Sequence, residues 1–180
     1  MAKHFSIFSN TYTQIVYKER MITGGIRDPL ERINAIPIDF ENKTVLDLGC
    51  NNGGTLFAIA DKIKQGWGND INPEAINIAN SVVNDYKIPN LSFKVADLNN
   101  WKEENLPKTD ILFALAIAKW IPTWKDIIKY LDPKICVFEA HGKKQMIPNQ
   151  IEWLNSHFKK VDLLKEGYED GKRKLFLCTQ

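Results

Sequence analysis

Residues 44–54 read Thr-Val-Leu-Asp-Leu-Gly-Cys-Asn-Asn-Gly-Gly, a run of strand formers that breaks at once into a glycine-rich turn. Residues 53–64 follow with Leu56, Ile59, Ala60 and Ile63 at the spacing of one helix face. A strand that feeds a tight turn and then a helix lets backbone approach a ligand closely. It also commits the chain to a fold in which strands and helices alternate.

The rest of the chain keeps that alternation. Residues 66–71, 91–96, 109–116 and 135–140 are further apolar or alternating runs that read as strands. Between them lie helical patterns: one opened by Pro73, with Ile76, Ala79, Val83 and Tyr86 on a face, and another at 124–131. A last helix is expected at 148–158. The end differs. Residues 161–167 and 174–179 are strand-like runs joined by a polar turn containing Asp170–Gly171, the pattern of an antiparallel hairpin. The expectation is a three-layer, doubly wound α/β fold with a mostly parallel seven-stranded sheet and a C-terminal antiparallel hairpin. It occupies residues 44–180. Residues 1–43 form an N-terminal extension, read as helical: one helix over 10–21, a break at Gly24–Gly25 and a second helix over 29–36.

Composition bounds the function. At 180 residues there is room for one domain and little beside it. Lys plus Arg number 24 against 22 acidic residues, a balance too even for nonspecific nucleic-acid binding. Two short basic clusters, Lys143–Lys144 and Lys172–Arg173–Lys174, read as solvated surface. Cys50, Cys136 and Cys178 are far apart, in apolar runs, and read as buried free thiols; no zinc or other metal site is expected. Residues 1–13 lack the apolar core of a secretory signal, and no run approaches the ~18 apolar residues of a membrane span. A cytoplasmic location and no membrane partner are expected.

Three carboxylates sit at successive strand ends. Asp47 lies two residues before Gly49, where it would repel a pyrophosphate. Asn51 stands where a dinucleotide-binding turn wants its middle glycine. A ligand with a cationic centre and an amino group, but no phosphate, suits this turn better. Asp70 ends the second strand, placed to accept both hydroxyls of a ribose. Asp97 ends the third, placed to accept from an exocyclic adenine amine. A nicotinamide-dependent reductase is disfavoured on these grounds.

With Asp47, Gly49 and Gly53 in the first turn, and Asp70 and Asp97 behind it, the chain resembles the class I S-adenosyl-L-methionine-dependent methyltransferases from Thr44 to its end. The final hairpin fits that family too. The resemblance implies S-adenosyl-L-methionine as cofactor, held by Asp47, Gly49, Asn51, Gly53, Asp70, Ile71, Asp97 and Leu98, with Ala114 on the fourth strand beside the reacting methyl. The Gly-x-Arg-Asp arrangement in the extension is similar to small bacterial methyltransferases related to transfer-RNA wobble-uridine modifiers. It implies a lid in which Arg27 clamps the methionyl carboxylate. The Ala118-Lys119-Trp120 run resembles the RNA methylphosphate-capping methyltransferases.

The acceptor is less constrained. No Asn-Pro-Pro-Tyr motif and no Pro-Cys nucleophile is present, which argues against the amino-nitrogen and pyrimidine-carbon chemistries those motifs mark. Glu139 and His141 end the fifth strand on the ligand-binding edge and are the candidate catalytic residues, His141 as a general base. Trp120 and Trp124, four apart, are expected to share a helix face in the core. The expected reaction is methyl transfer to an oxygen or nitrogen, with the even charge favouring a small-molecule acceptor over RNA. A non-catalytic S-adenosylmethionine-binding partner subunit is the alternative from another class.

Overall fold

Strand–helix alternation resolves as expected from Thr44 onward in a computed structural model, which describes residues 11–143, 145–168 and 173–180. The order is β5 (Thr44–Leu48), α2 (Gly54–Phe57), β6 (Gln65–Asp70), α3 (Pro73–Tyr86), β7 (Leu91–Val95), a 3₁₀ segment (Leu98–Glu103) and β8 (Ile111–Leu115), following the short elements of the N-terminal extension. Then come α4 (Trp124–Leu131), β9 (Ile135–Ala140), α5 (Met146–His157), β10 (Lys160–Tyr168) and β11 (Arg173–Thr179). These seven strands form one sheet in the order β10-β11-β9-β8-β5-β6-β7. All neighbours pair in parallel except β11, which runs antiparallel to both β9 and β10. The crossover direction reverses between β5 and β8, the place where open α/β sheets leave a crevice at their carboxyl edge.

Packing follows from the strand sequences. The central strands β8 and β9 are covered on both faces, so β8 reads as an unbroken apolar run and β9 as one up to Phe138. One face of the sheet packs a core that includes Leu56, Phe57, Ile76 and Ala79. The other packs Trp124, Ile127, Ile128 and Leu154 from α4 and α5. Helix α3 starts on Asn72, whose side chain accepts from the Glu74 and Ala75 amides, with Pro73 in the first turn. Its buried face runs through Ala75, Ile76, Ala79 and Val82, rotated slightly from the expected one, so Tyr86 is exposed. The helix expected over 53–64 stops at Phe57. Tighter turns continue it, with Ile59 N–H reaching Leu56 C=O and Ala60 N–H reaching Phe57 C=O.

The extension corrects the sequence reading. Residues 11–27 are not helical: they form β1 (Thr11–Thr13), β2 (Ile15–Tyr17), β3 (Arg20–Thr23) and β4 (Gly25–Arg27). β1 pairs with β4 in parallel, and β2 with β3 antiparallel. The physical reason is composition: Thr11, Thr13, Ile15, Val16 and Tyr17 are β-branched or aromatic. Threonine hydroxyls close the arrangement, since Thr23 Oγ1 accepts from the Ile15 amide at 3.1 Å. Only α1 (Leu30–Ile33), one turn, survives from the helix expected over 29–36. Asn10, the turn at Asp170–Gly171, Lys144 and Lys172 lie outside the described residues. Trp120 and Trp124 do not share a helix face either, because residues 118–120 form a turn and α4 begins only at Trp124. Trp124 is buried, whereas Trp120 is 66% exposed.

The extension is docked on the glycine-rich turn. Asn52 Nδ2 donates to the Thr13 carbonyl at 2.6 Å, and a β-carbon at Gly54 would lie 2.5 Å from the Gln14 carbonyl oxygen. Gly54 is therefore required by close approach rather than by backbone angle. Gly54→Ala should destabilise the protein by about 1–3 kcal/mol through overpacking against backbone. Denaturant unfolding checks this; a change within roughly 0.5 kcal/mol, the scatter of ordinary surface substitutions, would show that the extension is not seated there.

Candidate functional site

A cavity of about 830 Å³ opens at the carboxyl edge of the sheet, within the size range of small-molecule sites. Its wall brings together Arg27, Asp47, Gly49, Asn51, Asp70, Ile71, Asp97, Leu98 and His141 from the residues singled out in the sequence. Gly53, Ala114 and Glu139 are not on the wall. Gly53 instead takes a left-handed conformation (φ 77°) and caps α2, packed against Phe93. Ala114 is fully buried among the residues of the α4 and α5 face, and strand alternation turns its neighbour Leu115 to the cavity. Ala116 follows with φ 59°, a conformation few non-glycine residues adopt. Its N–H is held by the Glu139 carbonyl at 3.2 Å.

The first turn is built by backbone angle and one carboxylate. Gly49 and Asn51 both have positive φ (69° and 52°), so the chain curls into a tight turn. Asp70 Oδ2 accepts from the Asn51 amide at 2.7 Å, and Oδ1 from the Asn72 amide at 2.9 Å. The two contacts lock this carboxylate in place. They leave acceptor capacity, since an ionised carboxylate offers about four lone-pair sites. Asp97 caps the 3₁₀ segment: Oδ1 accepts from the Asn99 amide at 3.0 Å, and Oδ2 from Asn100 Nδ2 at 3.0 Å. Arg27 lies over the Tyr12 ring, 4.5 Å from its centroid. Glu31 pairs with Lys165 at 2.8 Å.

Glu139 has a different setting from the one expected. It is fully buried and bound by two arginines. Arg32 donates through Nε at 2.6 Å and Nη2 at 3.4 Å, and Arg173 Nη1 donates to Oε1. Such a carboxylate is an organiser of cations and not a base. Arg173 is itself a correction. Placed by sequence in a solvated basic cluster, it is 3% exposed, because β11 inserts beside β9 and brings it onto Glu139. Arg32 (6% exposed) and Arg173 both line the cavity. His141 is fixed through its backbone by Gln150, whose amide accepts from the His141 N–H at 3.2 Å and donates to its carbonyl at 3.0 Å.

Asp47 is buried at the end of β5, and burial raises its carboxyl from 3.8 to about 8, opposed by Arg32 and reinforced by Asp70. Burial also pushes up the Cys50 thiol beside it. Cys50, Cys136 and Cys178 are all buried and free, as their apolar contexts suggested. Among the described residues no cluster of His, Cys, Asp or Glu could hold a metal ion, and no helix is long and apolar enough to cross a membrane. The cavity wall instead offers carboxylates, which accept from hydroxyl and amino groups, and guanidiniums, which donate to anions.

Similar proteins place the chain in a family. The methyltransferase-domain family matches residues 39–168, most of the chain. The U6 snRNA methylphosphate capping enzyme Amus of Drosophila melanogaster is 31% identical over 120 residues, which span 58% of this chain and 40% of that one. Trans-aconitate 2-methyltransferase of Methylobacterium radiotolerans is 28% identical over 98 residues, 53% of this chain and 35% of that one. The chain thus spans less than half the length of either. Among solved structures, the N-terminal domain of EvdMO1, crystallised in the presence of SAH and D-fucose, aligns with a TM-score of 0.71. It shares 12% identity over 97% of this chain and 91% of that one, a likeness of fold. The chain belongs to the methyltransferase-domain family: it is a class I S-adenosylmethionine-dependent methyltransferase domain.

Asp47 supplies a test of the site's electrostatics. Its folded-state value lies above its unfolded one, so its protonated form is the one the fold favours. This contribution is intact below 3.8 and is lost as pH rises through about 8. Protein prepared without cofactor should therefore lose melting temperature between about pH 5 and about pH 8, and Asp47→Asn should flatten that loss. An unchanged slope in the variant would mean that Asp47 is already ionised in the fold.

Proposed function

We propose that this chain transfers a methyl group from S-adenosyl-L-methionine to an oxygen or nitrogen of a small-molecule acceptor, with both bound in the carboxyl-edge cavity. The observation that carries the reading is the division of that one cavity. Asp47, Asp70 and Asp97 line it at successive strand ends, and Arg27, Arg32, His141 and Arg173 line it as well. In this reading Asp70 holds the ribose hydroxyls and Asp97 with the Leu98 backbone holds the adenine edge. Asp47 faces the methionyl ammonium, and Arg27 faces the methionyl carboxylate, for which a guanidinium fork is well shaped. When bound, the cofactor supplies an already activated methyl on a sulfonium. The chain's own task is then to position the acceptor in line and to exclude water. For a neutral acceptor His141 would take the displaced proton.

The relatives leave both acceptor classes represented, one named for capping RNA and one for methylating trans-aconitate. The near-even balance of 24 basic and 22 acidic residues favours the small molecule. Trp120, exposed at the cavity mouth, favours an occupied acceptor side over a sealed, non-catalytic one.

Calorimetry should show binding of S-adenosylmethionine and S-adenosylhomocysteine and none of NAD. Asp70→Ala should weaken both ligands by about 1.5–3 kcal/mol, as for hydrogen bonds to a charged group. NAD binding without S-adenosylmethionine binding would overturn the assignment. Arg27→Ala should weaken S-adenosylmethionine but leave methylthioadenosine, which lacks the amino-acid tail, unchanged. Equal losses for both ligands would assign Arg27 a packing role over Tyr12 instead.

A further inference from the structure

Asp47, Asp70, Asp97 and Leu98 face the cofactor in the reading above, which leaves the wall beyond the end of β8 to the acceptor. There Leu115, Ala116, Ile117, Trp120 and Ile121 line the cavity, and all five are apolar. The backbone of this turn is pinned. The Trp120 and Ile121 amides both donate to the Ile117 carbonyl, at 2.8 and 2.9 Å, and the Trp124 amide donates to the Ile121 carbonyl at 3.1 Å. Ile117, Ala118 and Ile121 are buried and anchor the turn on either side of Trp120, which stands out to solvent. Tryptophan is highly buried on average, since its ring is among the largest apolar surfaces a side chain carries. A ring held outward on an anchored turn at a cavity mouth is therefore a surface kept for a contact. Lys119, which does not line the cavity, places its ammonium 4.3 Å from the ring centroid. A cation over one face of an indole leaves the opposite face for a second partner.

We propose that Trp120 is a specificity-determining residue and that the methyl acceptor carries a planar aromatic or heteroaromatic ring, which stacks on the Trp120 indole. This rests on the reading that one cavity takes cofactor and acceptor together. A flat ring laid on a flat ring brings both faces into contact and removes both from water. A puckered saturated ring touches the indole with only part of its atoms, so it gains less dispersion and buries less surface. Leu115, Ile117 and Ile121 continue the apolar wall beside that stack. The cations at the mouth set the sign of the ring. Lys119 lies over Trp120 and Arg27 over Tyr12, so a neutral or electron-rich ring meets less repulsion there than a cationic one. The turn is formed before the acceptor arrives, because its amides are already bonded and its flanking apolar residues already buried. The stack then supplies placement as well as selection: a ring fixed on Trp120 holds its oxygen or nitrogen substituent in one orientation toward the methyl.

The test is equilibrium binding to protein saturated with S-adenosylhomocysteine, with planar probes set against uncharged saturated counterparts. One arm compares 1-naphthol with decahydro-1-naphthol, the other uridine with 5,6-dihydrouridine. The arm that discriminates shows whether the ring is a carbocycle or a nucleobase. The planar member of at least one arm should bind saturably and roughly threefold or more tighter than its counterpart, the scale of one aromatic pair. Trp120→Ala should remove that preference and Trp120→Phe, which restores a ring, should keep it, with S-adenosylhomocysteine affinity unchanged in both. Three results would each overturn the proposal and leave the cofactor reading standing: a smaller ratio in both arms, no binding of either planar probe at millimolar concentration, or a preference that survives Trp120→Ala. Failure of S-adenosylhomocysteine to bind at all would instead remove the reading beneath it. If a variant does not fold, the wild-type comparison of planar and saturated probes still decides.

Discussion

Burying a carboxylate costs several kcal/mol unless it is paired and fully hydrogen-bonded. Glu139 is fully buried at the carboxyl end of β9, and its partners come from α1 and from the start of β11. This one ion cluster joins the N-terminal extension, the centre of the sheet and the C-terminal hairpin. Removing Glu139 would leave two buried guanidiniums without this shared carboxylate, so the three elements are held to one arrangement. The cavity between them inherits that arrangement, and so do the charges on its wall.

The opposite side of the cavity is organised by backbone angle. Gly49 and Asn51 curl the chain with positive φ, and Asp70 on the next strand accepts the Asn51 amide, tying the first turn to the second strand end. Asn52 and Gly54 in the same turn seat the extension, through the Thr13 carbonyl and close to the Gln14 carbonyl. A single six-residue turn, Gly49 to Gly54, thus shapes the ligand wall with its first half and anchors the cap with its second. Two of the non-glycine residues with left-handed φ, Asn51 and Ala116, line the cavity.

What the sequence made legible was periodic or local. The apolar runs of β5, β8 and β9 and the helical spacing of α4 could be read because each is a repeat within a few residues. The strand-end positions of Asp47, Asp70 and Asp97 followed from those repeats. The extension was misread because Thr11 to Tyr17 permits a weak helical spacing, while β-branching and pairing to residues 20–27 decide its fold. Arg32 and Arg173 could not be placed, since their shared partner lies 107 and 34 residues away along the chain. Arg173 even sits in a basic run that imitates exposed surface. Only the antiparallel insertion of β11 next to β9 puts it inside.

A crystal structure with S-adenosylhomocysteine bound tests the central claim most directly, that the carboxylates at successive strand ends hold the cofactor in the carboxyl-edge cavity and leave its remaining wall to the acceptor. The account requires the ribose hydroxyls on the Asp70 carboxylate, with the sulfur directed at that remaining wall. A ribose away from Asp70, or a sulfur directed toward Asn99, would contradict it.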